Sequence, residues 1–395
     1  MDDTNINETL SEDSPPPEDS WENLAKLSNI TNPLFEKTLF LLGYDYSSNI
    51  FLIQGDYHSI IDPGNDYTAF LDLVHLGFNP PDIKKIVLTH SHHDHVMGTF
   101  ELFRGYPGYK KDLQVEVIIH EAGPQEFKEM VKQFGCRLTE VKGGEILELS
   151  GLEFEVIHAP GHTLDGICLF HAPSRTLFTG DTVLPHAMAE MDQDRGGRMD
   201  HYLYALRTLL KKEIDHVLPG HGGVAINIGR KVVEETYEGL IKKVVGPDTP
   251  WMQGATTLAQ QGLLSEGLFY VDKELSENPE NPRAIEFKAF LLNDLGRNQE
   301  ALEWFDKVLA QKSDHVHALL GKGSALLALG RHEESLKYFD HVLKIDPPMK
   351  EAQVYKGMAL YLAGRYDEAM DLEAFRADFT DRFKEELAKK GKPEG

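Results

Sequence analysis

Residues 89–95 read THSHHDH, four histidines and one aspartate in seven positions, directly after the apolar run Ile86, Val87, Leu88. Crowded imidazoles repel once protonated and compete for hydrogen-bond donors when neutral, so a chain that packs them this densely has to hold them with something. The apolar, β-branched run predicts a strand, and His90 and His92, two apart at its end, then project from the same side. Asp94 and His95 fall in the turn and the first positions of a helix over DHVMGTFELFR, whose apolar stripe Val96, Phe100 and Phe103 docks on the sheet. One short segment therefore offers two imidazoles in one direction and a carboxylate plus an imidazole in another. That arrangement suits two metal ions better than one. His93 has the opposite parity to His92 and reads as a polar surface residue.

A metal centre needs further ligands at other strand ends facing the same rim, since open α/β sheets collect ligand-binding residues at the carboxyl ends of their strands. EVIHAPGHT supplies His162 after a strand and a Pro-Gly turn, TLFTGDT supplies Asp181, and HVLPGHG supplies His221. The surrounding chain alternates strand-like and helix-like pieces from about residue 36 to 245. TLFLLGY, NIFLIQG, HSIIDPG, VEVIIH and ICLFHA are further strands; helices are expected around 122–134, 198–212 and 228–244. This is an α/β layered domain, assigned to residues 36–250.

After residue 255 the strands stop and the chain repeats every 34 residues. Gly296, Gly330 and Gly364 keep that step, as do Ala289, Gly323 and Gly357, then Ala301, Ser335 and Ala369, the pair Phe305 and Phe339, and Pro279, Ser313 and Pro347. Small residues at helix crossings and glycine at the turn, at this period, resemble the tetratricopeptide repeat, each unit an antiparallel helix pair. About three units are expected in an all-α domain over residues 255–390, with Glu373 in the third unit's aromatic slot and 255–280 fitting only as a degenerate half repeat. Lys288, Lys322 and Lys356 occupy equivalent positions; they form either a basic stripe for an acidic peptide or a row of solvated lysines.

Composition narrows the partners. The 64 acidic residues against 40 Lys+Arg give a net charge of −24, which repels phosphate backbones and disfavours nucleic acid. Two cysteines without CxxC spacing, Cys136 and Cys168, fit a reducing compartment and leave no thiolate cluster for metal. Residues 1–20 carry seven acidic side chains, no basic one and a triple proline; they are expected to be a disordered acidic tail. With no signal-peptide pattern and no apolar run of membrane-spanning length, a cytoplasmic protein without a membrane partner is expected.

The stretches IDPG (61–64), HSHHDH (90–95), PGHT (160–163), TGDT (179–182) and PGHG (219–222) resemble, in order and spacing, the metallo-β-lactamase-fold hydrolases, glyoxalase-II- and lactonase-like. The resemblance implies an αββα sandwich with two zinc ions at one edge. His90, His92 and His162 would hold the first metal, Asp94, His95 and His221 the second, and Asp181 would bridge both. Asp62 would accept a hydrogen bond that orients a ligand. Five imidazoles and two carboxylates suit Zn²⁺, and Fe or Mn are also accommodated.

The implied chemistry is hydrolysis of a small ester, lactone or thioester by a metal-bridging hydroxide, with Asp94 also moving the proton. The repeats would serve a protein or peptide partner or self-association. Competing readings are a phosphodiesterase or ribonuclease of the same fold, a mononuclear iron persulfide dioxygenase using His90, His162 and Asp181, and a scaffold built on the repeats. Only 39 residues separate Asp181 from His221, too few for the domain that RNA-processing relatives insert there. Substrate-binding residues are not identified. His186 and Arg195, in the loop LPHAMAEMDQDRGGR over 184–198, either meet substrate or are ordinary solvated charges, and Met188 and Met191 either line an adaptable apolar wall or do not. Cys168 reads as a small core residue.

Overall fold

Along the central strands of the first sheet, neighbouring residues enter two different cores. Strands β1 (Glu22–Asn23), β2 (Thr38–Leu41), β3 (Ile50–Ile53), β4 (His58–Ile61), β5 (Ile83–Val87), β6 (Glu116–His120) and β7 (Arg137–Val141) lie in sequence order. Phe51, Ile53, Ile61, Val87 and Ile118 point one way, into a core shared with Phe154, Val156, Ile167, Leu169, Phe178 and Leu218 of a second sheet. Leu52, Ile60, Ile86, Val117 and Ile119 point the other way, against Phe70, Leu73, Phe100, Phe127 and Val131. The latter belong to helices Tyr67–His75, Gly98–Gly105 and Gln125–Gln133. Period-two alternation with both faces apolar is what a sheet covered on each side requires.

The second sheet has the order β12-β11-β10-β9-β8, from β8 (Ile146–Leu149), β9 (Leu152–His158), β10 (Ile167–His171), β11 (Thr176–Gly180) and β12 (His216–Pro219). Helices Met199–Leu209 and Gly229–Val245 carry buried faces with Tyr202, Leu206, Val233 and Tyr237, and the Tyr202 hydroxyl donates to the Thr182 carbonyl just past β11 (2.8 Å). The result is an αββα sandwich. In this computed structural model residues 21–44, 46–65, 67–105 and 115–390 are described, and the chain divides into two compact units, Met1–Ile241 and Lys242–Gly395. The expected acidic tail, 1–20, lies outside the described residues. Trp21 already belongs to the first unit, since its indole donates to the Ala69 carbonyl (3.1 Å); the domain therefore reaches back beyond the expected start at 36.

In the second unit helices alternate with tight turns: Trp251–Gln260 with Leu264–Glu277, Pro282–Asp294 with Asn298–Gln311, Val316–Ala328 with His332–Ile345, and Lys350–Leu362 with Tyr366–Asp371 and Glu373–Lys390. The turn glycines Gly262, Gly296, Gly330 and Gly364 all have positive φ, 74–81°, and the next residue's N–H returns to the carbonyl five back, as Arg297 does to Leu292 (2.8 Å). This is the left-handed helix stop that favours glycine. Gly262 extends the 34-residue step backwards, so 251–277 is a complete helix pair rather than a half repeat. A Cβ on Gly323 would lie 2.5 Å from the Phe339 ring and one on Gly357 2.2 Å from Phe375. Phe375 thus takes the aromatic role that Glu373, two residues earlier, does not fill. The lysine row is not a bare basic stripe: Lys288 pairs with Asp272 (2.5 Å), Lys322 with Asp306, and Lys356 with Asp340 (2.7 Å). Each aspartate sits one helix back at the same 34-residue step.

Candidate metal centre

Strand β5 ends at Val87, so His90 and His92 stand in the loop that follows rather than on the strand, and parity along a strand is not what aligns them. That loop is pinned by Asp62, at the end of β4, whose backbone adopts the left-handed region (φ 50°) that aspartate tolerates better than most residues. Its Oδ1 accepts from the Thr89 amide (2.7 Å) and its Oδ2 from the Thr89 hydroxyl (2.6 Å) and from His95 Nδ1 (2.8 Å). With its proton spent on Asp62, the Thr89 oxygen is left to accept from His90 Nδ1 (3.2 Å). On the other side, His92 Nε2 donates to Asp192 Oδ2 (2.9 Å) and His162 Nδ1 donates to the Glu190 carbonyl.

The outer nitrogen of each of these four rings is engaged, and the inner ones converge. His92 Nδ1 lies 3.0 Å from both His90 Nε2 and His162 Nε2, two bare lone pairs facing a third. Zn–N bonds of about 2.0–2.1 Å put ligand nitrogens about 2.8–3.4 Å apart, for right-angle to tetrahedral geometry. Three overlapping groups form: His90, His92 and His162; His90, His95 and Asp181; Asp94, His95 and His221. His221 Nε2 lies 3.0 Å from Asp94 Oδ2 and 3.6 Å from Asp181 Oδ2, and Asp181 Oδ2 lies 3.8 Å from His162 Nε2. All seven residues expected as ligands are brought together, and His93 faces solvent. His95 Nε2 and Asp181 Oδ1 are buried without a hydrogen-bond partner, as donors reserved for a cation would be.

Electrostatics follow from this crowding. Burial and the neighbouring His95 ring hold His90 well below the usual imidazole range, and burial lowers His162. Both shifts favour the neutral ring, the form in which an imidazole can ligate a metal. Burial also opposes charge on His95, but the Asp181 and Asp62 carboxylates outweigh it and raise that ring well above its usual value. Burial works against Asp181 in turn, and His95 overcomes it, holding the carboxylate well below its ordinary range. His95 and Asp181 therefore favour each other's charged form, and a metal taken up at that group would displace a proton.

Glycine at 220 is a steric requirement. A Cβ there would lie 2.3 Å from Asp181 Oδ1 and 2.7 Å from His95 Cε1. Gly220→Ala is expected to lower metal affinity by about tenfold or more while leaving both cores folded, read by titrating the metal-free protein with Zn²⁺; unchanged affinity would mean the two side chains have room to give.

Sequence reasoning missed several supports because their partners are distant in the chain. Asn49 donates to the Pro219 and Gly222 carbonyls (2.9 and 2.8 Å) and so shapes the turn that carries His221. Asp192 has no local signature beyond lying in the loop expected to overhang the site. In that loop Arg195 donates to Ser91 Oγ (2.9 Å) and the Ser91 carbonyl (3.3 Å), a structural grip on the histidine loop. His186 is exposed, with φ 66°, and Met188 packs over Gly239. Cys168 is fully buried, which pushes its thiol up to about 12.

The family model of the metallo-beta-lactamase superfamily matches residues 43–221, and a tetratricopeptide repeat model matches 294–350 and 320–377. A probable metallo-hydrolase of Methanocaldococcus jannaschii is 32% identical over 199 residues, covering 47% of this chain and 93% of that protein. The atrochrysone carboxyl ACP thioesterase AgnL7 of Paecilomyces divaricatus is 27% identical over 191 residues. The match takes in 48% of this chain, and the chain spans about half, 54%, of that relative's length. Among solved structures, a metallo-beta-lactamase family protein from Thermus thermophilus aligns with a TM-score of 0.42 and 21% identity, over 61% of this chain and 93% of that one.

Proposed function

The chain belongs to the metallo-β-lactamase superfamily, and from that premise we propose that its first unit is a dinuclear zinc hydrolase of a small ester, lactone or thioester. The observation that carries the reading is the convergence of seven nitrogen and carboxylate donors in which the outer ring nitrogens of His90, His92, His95 and His162 are already occupied. A donor set without thiolate, rich in imidazole, suits Zn²⁺, with Fe or Mn as the other ions it accepts. The thioesterase name of one relative favours a thioester among the three substrate classes. Asp94, His95 and His221 form a complete second group, which favours two ions over the single iron of a dioxygenase.

Divalent ions held there would supply an activated water and a Lewis acid for the substrate carbonyl. The residues do the rest. Asp62 and Thr89 fix the His95 and His90 rings, so the donor set is preorganised before substrate arrives. Asp94 is 30% exposed, against 10% for Asp181, so of the two it is the carboxylate placed to pass a proton to solvent. The helical repeats offer a surface for a protein or peptide partner or a second copy of the chain. Among the described residues no helix is long and apolar enough to cross a membrane.

Elemental analysis of the purified full chain, run beside an ester, thioester and lactone panel, tests the reading. About two ions per chain, mostly zinc, are expected, with thioester turnover the fastest. One tightly held iron, with a second position that added zinc never fills, would sink it.

A further inference from the structure

The two halves of the metal centre are braced from different parts of the fold. His95 is braced by Asp62, directly after β4, and His90 by Thr89, in the loop that follows β5, both of them central strands of the first sheet. His92 and His162 are braced by the loop between β11 and helix Met199–Leu209, through Asp192 and the Glu190 carbonyl.

Asp192 makes four kinds of contact at once. Its Oδ2 accepts from His92 Nε2 (2.9 Å), and its Oδ1 accepts from the Asp194 and Arg195 amides (3.0 and 3.2 Å), closing the turn Gln193–Arg195. Its own amide donates to the His162 carbonyl (2.8 Å), and its carbonyl accepts from Gly197 (2.7 Å). A Cβ on Gly197 would strike the His162 carbonyl at 2.4 Å, so the loop is seated closely on the chain that carries that ligand. Arg195, three residues on, holds the histidine loop at Ser91. One residue thereby links the ring of one ligand to the backbone of another.

We propose that Asp192 is a positioning residue for the first metal: by anchoring His92 Nε2 and the His162 backbone together, it sets the affinity of the His90, His92, His162 group separately from that of the Asp94, His95, His221 group. The inference rests on the two-ion reading above. Physically, a carboxylate on the outer N–H of a ligating imidazole fixes the ring's rotation and makes the opposite nitrogen more basic; removing such a partner typically costs about 10–100-fold in metal affinity. Because the partner lies on a loop that overhangs the site, occupancy of the first metal depends on how that loop is seated.

The test is a stepwise Zn²⁺ titration of the metal-free full chain, wild type against Asp192→Asn, with a competing chromophoric chelator and the thermal midpoint of the metal-free protein alongside. Asparagine caps a turn about as well as aspartate, so a role confined to closing Gln193–Arg195 predicts no change. The expected result is two binding steps in both proteins, one weakened about tenfold or more in Asp192→Asn, the other within about twofold of wild type, and an unchanged midpoint. Two steps identical to wild type, or both weakened equally, would overturn the assignment while leaving the two-ion reading intact. Should Asp192→Asn lower the midpoint, Arg195→Gln decides: it frees Ser91 and removes the long pair from Arg195 Nε to Asp192 Oδ2 (4.0 Å) while keeping the Asp192 carboxylate on His92, and it must leave both steps nearer to wild type than Asp192→Asn does. If the wild type itself takes only one ion, the two-ion reading fails, and Asp192 is then judged by whether its asparagine variant weakens that single ion.

Discussion

Asp181→Ala is expected to remove most hydrolysis, on the order of 100-fold or more in kcat, while the protein stays folded. The Asp181 side chain is 10% exposed and follows directly on β11, where it reaches both groups of donors. Oδ1 is 3.3 Å from His95 Nε2, and Oδ2 is 3.6 Å from His221 Nε2 and 3.8 Å from His162 Nε2. Alanine leaves three imidazoles facing a gap, with Asp94 the one carboxylate of the seven still there to balance a cation. The fold should survive, because Asp62 still holds His95 from the other side (2.8 Å) and the sheets' shared core contains none of these residues. His162→Ala should behave alike through loss of one imidazole. Turnover of a model thioester, measured beside circular dichroism and metal content, checks both. If Asp181→Ala turns over substrate at the wild-type rate, the carboxylate does not bridge.

The clustering of the seven residues expected as ligands was legible because each sits beside a strand-ending turn with its own local text: HSHHDH, PGHT, TGDT, PGHG. In such a motif the neighbours that shape the backbone travel with the residue. Strand parity reaches the right cluster for His90 and His92 by the wrong route, since it does not operate in a loop and Asp62 and Thr89 set the directions instead. What stayed illegible were contacts between remote segments. Asp192 meets His92 100 positions away and Asn49 meets Pro219 170 positions away, and neither leaves a trace in its neighbourhood. The repeats show the same division. Their period and turn glycines were readable because they recur, whereas the choice for the lysine row between a basic stripe and solvated lysines stayed open until the packing of one helix on the next paired Lys288 with Asp272 and its two equivalents likewise. Phe375 escaped because the helix breaks between Tyr366–Asp371 and Glu373–Lys390, which shifts the aromatic slot by two residues.

Phe339→Ala is expected to destabilise the second unit by about 3–5 kcal/mol without changing the metal content of the first. The ring is fully buried, lies under Gly323, whose missing side chain is what admits it, and stacks on Tyr355 with centroids 5.8 Å apart and planes at 12°. Removing it leaves a cavity that Gly323 has no atoms to fill, and the surrounding Leu336, Val342 and Leu360 are held by helices whose spacing the turn glycines fix. In a stacked array each pair is stabilised mainly by its neighbours, so loss at this central position weakens the pairs on both sides. All seven candidate metal ligands lie in the unit Met1–Ile241, and Phe339 lies in Lys242–Gly395. Urea unfolding followed by helical circular dichroism should therefore reveal an early transition in Phe339→Ala, with zinc content and thioester turnover at wild-type levels before that transition. If metal is lost together with the helices, the two units unfold as one, and the division of labour between a hydrolase and a docking module has to be abandoned.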